Sequence, residues 1–156
     1  MTYFPHMQQN AGVTKKPKKG FTLIELMIVL AIIAIILTLG LPVYINYTIR
    51  AKIGEGLGVA AAAKTAVGAT CLEDPTLVNL DNNAAGYNYE PSTWVSDISV
   101  SGNCTTPVIT ILTQNTGASQ DPEITLTGNI EEDPSVFTWL CASNAENYLL
   151  PSECRN

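Results

Sequence analysis

Histidine is almost missing from this chain: among 156 residues only His6 carries an imidazole. The remaining sequence therefore lacks the commonest general base, nucleophile activator and metal ligand. The four cysteines show no paired C-x-x-C spacing, which argues against a zinc centre. There is no glycine loop ending in lysine and a hydroxyl residue, the pattern that cradles nucleotide phosphates. Positive charge is scarce beyond Gly20, where only Arg50, Lys52, Lys64 and Arg155 face fourteen acids, a net charge of −10 against −6 for the whole chain. Phosphate binding needs a basic surface, so nucleic acid is disfavoured as a direct ligand of this part. No catalytic set is visible, and nothing implies a cofactor or a metal.

The missing lysines are gathered at the other end. Lys15, Lys16, Lys18 and Lys19 precede Gly20, and an apolar run then extends from Phe21 to Leu41. At ~1.5 Å per residue that run makes a helix of ~30 Å, the thickness of a bilayer core. An ordinary secretory signal has an apolar core of only ~7–15 residues and a small-residue cleavage site, neither of which fits here. The lysine cluster holds the N-terminal side in the cytoplasm and sends the acidic part outward. Inside the run stands a single carboxylate, Glu25. A charged group within such a span costs at least ~2.5 kcal/mol on insertion scales, which marks it as a functional residue with a partner.

The stretch Gly20-Phe21-Thr22-Leu23-Ile24-Glu25-Leu26 resembles the class III signal peptide of type IV prepilins. The resemblance is close over residues 15 to about 50 and is nearest to type IVa major pilins. It implies that residues 1–20 are a leader removed by a prepilin peptidase, which cuts between Gly20 and Phe21. The same enzyme would methylate the new amine of Phe21, and Glu25 would serve methylation or assembly. His6 would leave with the leader. A leader of twenty residues is long for the commonest pilin subtype, and Met7 is an alternative start. Residues 21–41 would form the membrane and fibre-core helix, and residues 42–156 an amphipathic helix plus a globular head.

Beyond Leu41 the pattern becomes amphipathic. Ile45, Ile49, Ile53 and Leu57 recur at four-residue steps through Ala61 towards Val67, with Arg50, Glu55 and Lys64 off that stripe. This predicts one helix from about Phe21 to Cys71, kinked or loosened at Pro42. Gly54, Gly56 and Gly58 weaken it and point to close packing. From residue 72 turn-forming residues dominate. Residues 72–94 read as a loop, and 96–101, 108–113, 124–127 and 136–141 as short strands. The expected class is α+β, a long N-terminal helix against a small antiparallel sheet of about four strands. Trp94 and Trp139 are expected to fill the core, with carbohydrate stacking as an outside reading.

Four cysteines in an exported head imply two disulfides, and three pairings are open. Cys141–Cys154 is favoured because it resembles the C-terminal disulfide-bounded loop of type IV pilins, where exposed residues influence adhesion. Cys71–Cys104 would then tie the helix end to the sheet. Glu131-Glu132-Asp133 and Asp121-Pro122-Glu123 lack full calcium-loop spacing and read as solvated turns. Asn46-Tyr47-Thr48 and Asn103-Cys104-Thr105 read as chance glycosylation matches.

The resemblance implies a major pilin, a non-enzymatic homopolymer subunit for adhesion, twitching motility and DNA uptake through another subunit. Its partners would be the prepilin peptidase, the inner-membrane assembly platform, the membrane, and host or surface receptors. It would span the bacterial inner membrane once, N-terminus cytoplasmic, before joining an extracellular fibre. A minor pilin or type II secretion pseudopilin is the alternative, and a single-pass membrane sensor the more remote one.

Overall fold

The computed structural model describes residues 20–130 and 137–155. One helix, α1 (Leu23–Glu73), precedes four strands: β1 (Val95–Gly102), β2 (Pro107–Thr113), β3 (Glu123–Ile130) and β4 (Phe137–Ser143). Residues to Thr38 and residues from Leu39 onward pack as two separate units. In the first, every described residue is exposed, including Leu26 to Leu37. By length and composition α1 can cross a membrane.

The helix begins two residues later than the sequence suggested, because Thr22 caps it, and it ends two residues later. Asp74-Pro75 stops it there: the residue before a proline avoids helical backbone, and Asp74 Oδ1 instead accepts from Thr76 N and Oγ1 (3.0 and 2.7 Å). α1 runs through Pro42 without interruption, although a proline lacks the N–H that would bond back to the preceding turn.

The buried face of α1 differs from the expected stripe. It comprises Ile49, Ile53, Gly56, Ala60, Ala63, Val67 and Cys71, whereas Ile45 and Ala61 are exposed and Leu57 is half-buried. Strict four-residue steps drift ~40° per step around a helix of 3.6 residues per turn. Alternating steps of four and three hold one face, and the small residues Gly56, Ala60 and Ala63 occupy it. Gly56 explains the close approach: a Cβ there would lie 3.2 Å from Ile111 Cγ2 and 3.4 Å from Val95 Cγ2. At Gly54 and Gly58 an added Cβ meets nothing within 4 Å. Gly56→Leu is therefore expected to destabilise the head by about 1–3 kcal/mol through overpacking. Gly58→Ala should instead stabilise it by about 0.5–1 kcal/mol. Denaturant unfolding of the detergent-solubilised chain reads both.

The sheet is an antiparallel meander in the order β1-β2-β3-β4. Val100 pairs with Ile109, Ile111 with Ile124, and Leu126 with Cys141. Alternation puts Val95, Ile98, Val100, Ile109, Ile111, Ile124 and Leu126 in one core with the helix face. The β1–β2 turn uses Gly102 at φ +96°, where a Cβ would sit 2.6 Å from Thr106 O. Asn103 Oδ1 accepts from Thr105 N and Thr106 N, both at 2.8 Å, so this sequon asparagine is already engaged as a turn former.

The segment between α1 and β1 carries no helix or strand, as expected. β3 extends past Thr127 to Ile130, and β4 continues past Cys141 to Ser143. Residues 131–136, which hold the Glu131-Glu132-Asp133 run, lie outside the described residues. The tryptophans depart from expectation: both are half-buried at the margin of the core. Lys52 Nζ stands 4.2 Å from the centroid of Trp94, and Lys64 Nζ 5.7 Å from that of Trp139.

Candidate functional site

Two regions carry the sequence-predicted residues, and each is built differently. At the start of α1, Glu25 Oε2 accepts from both Thr22 N and Thr22 Oγ1, each at 3.0 Å. Thr22 Oγ1 in turn accepts from Glu25 N at 3.3 Å. This is a reciprocal capping box, with Thr22 as the cap and Glu25 three residues on. It satisfies helix-end N–H groups that have no partner within the helix, and it fixes where the carboxylate stands. Phe21, 90% exposed, and Gly20, with open space where a Cβ would be, lie just ahead of it. The box is absent from the sequence-based expectations although its signature, Thr-x-x-Glu before an apolar run, is plain in the residues.

The second region is the C-terminal loop closed by Cys141–Cys154, whose Cα atoms are 4.8 Å apart across 13 residues of chain. Cys71–Cys104, with Cα atoms 5.3 Å apart, ties the last turns of α1 to the β1–β2 turn. Both favoured pairings are thus present. Within the C-terminal loop two short 3₁₀ turns, Asn147–Leu149 and Ser152–Cys154, were not expected, because three-residue turns leave no periodic signal. Leu149 and Leu150 are buried as its apolar feet, while Tyr148 stays 53% exposed. A hydrogen bond from Tyr148 to Glu146 and the negative charge beside it push the phenol above its ordinary pKa.

Two cations of α1 and one near the C-terminus hold these loops. Arg50 Nη2 donates to Tyr148 O at 2.6 Å, and Arg155 Nε donates to Leu150 O at 2.9 Å. Lys52 Nζ donates to Asn115 O and Thr116 O at 3.1 and 2.9 Å, fastening the β2–β3 loop. In that loop Asp121 Oδ1 accepts from Thr116 N and Oγ1 (2.9 and 2.6 Å), and Oδ2 from Asn115 N (3.2 Å). The hydroxyl bond from Thr116 is the main reason its carboxyl sits below the usual range. Asp121 is therefore a loop staple, its oxygens taken up by the protein. All four cations beyond Gly20 engage carbonyls or aromatic rings, and fourteen acids against these four leave this part of the chain acidic.

Removing the C-terminal staple with Cys141→Ser and Cys154→Ser together is expected to lower head stability by about 2–4 kcal/mol. Denaturant melts should read that loss, and limited proteolysis should cut first within residues 142–153.

A membrane-length helix opening on a basic run, and a sheet head with a disulfide-closed terminal loop, agree with what similarity finds. Residues 49–155 match the pilin family of bacterial filaments, and residues 15–41 match the prokaryotic N-terminal methylation motif. Over 165 residues the chain is 31% identical to the type IV major pilin protein PilE1 of Neisseria gonorrhoeae, covering 89% of this chain and 88% of that one. The chain belongs to the type IV pilin family. This pilin is also 38% identical over 146 residues to the fimbrial protein EcpC of Eikenella corrodens, spanning 91% and 94% of the two chains. It is 33% identical over 159 residues to a probable minor fimbrial protein of Dichelobacter nodosus, spanning 90% and 96%. Relatives named as major and as minor subunits both occur. The family is structural, and its members assemble into polymers. Its N-terminal motif and apolar helix fit a membrane-anchored precursor that becomes part of a fibre.

Proposed function

We propose that this pilin is the major subunit of a type IV pilus and polymerises through the apolar half of α1. The observation that carries this reading is the fully exposed apolar surface of that half. In water such a surface has no stable resting place, so it needs lipid first and equivalent helices afterwards. The closed C-terminal loop favours a pilus subunit over a secretion pseudopilin, in which such a loop is commonly missing.

Cleavage between Gly20 and Phe21 by a prepilin peptidase frees an ammonium four residues before Glu25, just ahead of the Thr22 cap, and methylation follows on that amine. The precursor sits in the inner membrane with its lysines cytoplasmic and passes to the assembly platform after cleavage. In the fibre, Glu25 of one subunit meets the Phe21 amine of a neighbour. Within a water-poor core this pair is attractive and either charge alone is expensive, so the contact fixes register. Adhesion and twitching motility follow from the fibre, and receptors would meet the head.

Shearing cells and analysing the released filaments tests this reading. This chain should be their most abundant protein and should begin at methylated Phe21. A few copies per fibre would assign it as a minor pilin. An intact leader and no filaments would return it to the membrane-sensor reading.

A further inference from the structure

Arg50 is incompletely used. Its Nη2 bonds to Tyr148 O, yet Nε is buried with no acceptor and is alone in this among the described residues. An orphaned buried donor costs about 1–3 kcal/mol, more for a charged group. The side chain lines a groove of about 220 Å³ with Val43, Asn46, Tyr47 and Tyr148; no carboxylate lines it, and the Tyr148 hydroxyl is turned to Glu146. The lining Tyr47 is 67% exposed, and Tyr44, one turn earlier on α1, is 65% exposed. These two tyrosines follow the apolar run directly, where amphipathic rings sit at a membrane interface.

The helix supplies the reach. Arg50 lies nine residues beyond Leu41, about 13 Å along the axis. Side chains on a helix lean towards its N-terminus, here the membrane end, and long basic chains extend their charge to the headgroup layer. With Nε buried, the end-on edge of the guanidinium, Nη1 and the second N–H of Nη2, offers the parallel donors that match two oxygens of a phosphate.

We propose that Arg50, with Tyr44, Tyr47 and Tyr148, forms an interfacial collar that seats the unassembled head on the bilayer by binding a phospholipid phosphate in this groove. The proposal rests on the reading that the subunit waits in a membrane before assembly. It gives an otherwise acidic head one cationic contact with the bilayer, and it links the C-terminal loop to the lipid surface through the Arg50–Tyr148 bond. The contact must break when the subunit leaves for the fibre.

The chain has only two arginines, Arg50 and Arg155, which makes the test direct. The full chain, labelled with ¹³Cζ-arginine, is reconstituted into phosphatidylethanolamine–phosphatidylglycerol bilayers, and ¹³C–³¹P dipolar recoupling is recorded by solid-state NMR. The Arg50 signal should lose most of its intensity under ³¹P recoupling, while Arg155 keeps its own. Arg155→Gln leaves Arg50 as the sole signal and Arg50→Gln removes it, so the assignment survives if either variant fails to fold. An undephased Arg50 in alkali-resistant, inserted protein overturns the collar alone, and pairing with a carboxylate of a second copy would give that result. A chain stripped from the bilayer by alkali overturns the membrane reading as well.

Discussion

Glu25→Ala is expected to leave the subunit membrane-inserted and to abolish fibres. The alanine removes two things at once, the carboxylate that receives the Thr22 donors and the negative charge proposed to meet a neighbour's Phe21 amine. Loss of a capping partner costs about 1 kcal/mol at one end of a helix, little against a 51-residue helix. An unpaired ammonium buried among apolar helices costs at least ~2.5 kcal/mol, some sixty-fold in each subunit-addition equilibrium. That is enough to stop growth. Two further variants separate the causes. Glu25→Gln keeps an acceptor for Thr22 but no charge and should also fail to make fibres. Thr22→Ala loses the cap but keeps the charge and should still polymerise. Electron microscopy of sheared material, with alkaline extraction to confirm insertion, reads all three; normal filaments from Glu25→Ala would contradict the role given to this residue.

Gly20→Val is expected to block processing completely. A peptidase gripping this bond needs an extended or turned backbone, which glycine adopts freely and a β-branched residue restricts. Position 20 is exposed, and a Cβ there would meet nothing within 4 Å, so folding of the head should be unchanged. The variant should keep its leader, show the full precursor mass and yield no filaments, because the Phe21 amine is never freed. Mass spectrometry of membrane fractions checks this. A chain beginning at Phe21 in the variant would show that the glycine is dispensable.

The residues themselves disclosed the helix, the four strands and the presence of two disulfides, for a common physical reason, while the favoured pairing leaned on the resemblance to pilins. Long apolar runs, β-prone segments between turns, and cysteines in an exported head are signals of several residues each. What escaped depended on tertiary contact. The helix face escapes because Gly56, Ala60 and Ala63 carry no hydrophobic bulk: the glycines point to close packing, but only the approach of Ile111 and Val95 to Gly56 shows which side of the helix is buried. Trp94 and Trp139 looked like core fillers, yet each has a lysine over its ring, a pairing between residues distant in sequence. The role of Arg50 in anchoring Tyr148, 98 positions away, was invisible for the same reason. The capping box was different: Thr22 and Glu25 are local and could have been read directly. It shows that the carboxylate already has a partner within its own chain, so the proposed intersubunit pair must form beside that bond or replace it.

Helical reconstruction of sheared native fibres at side-chain resolution tests the account at its centre. It should show the apolar halves of α1 bundled along the axis, with Glu25 of each subunit within ~4 Å of the Phe21 amine of a neighbour. A fibre in which that carboxylate bonds only to its own Thr22, while the neighbouring amine meets no acid, would contradict it.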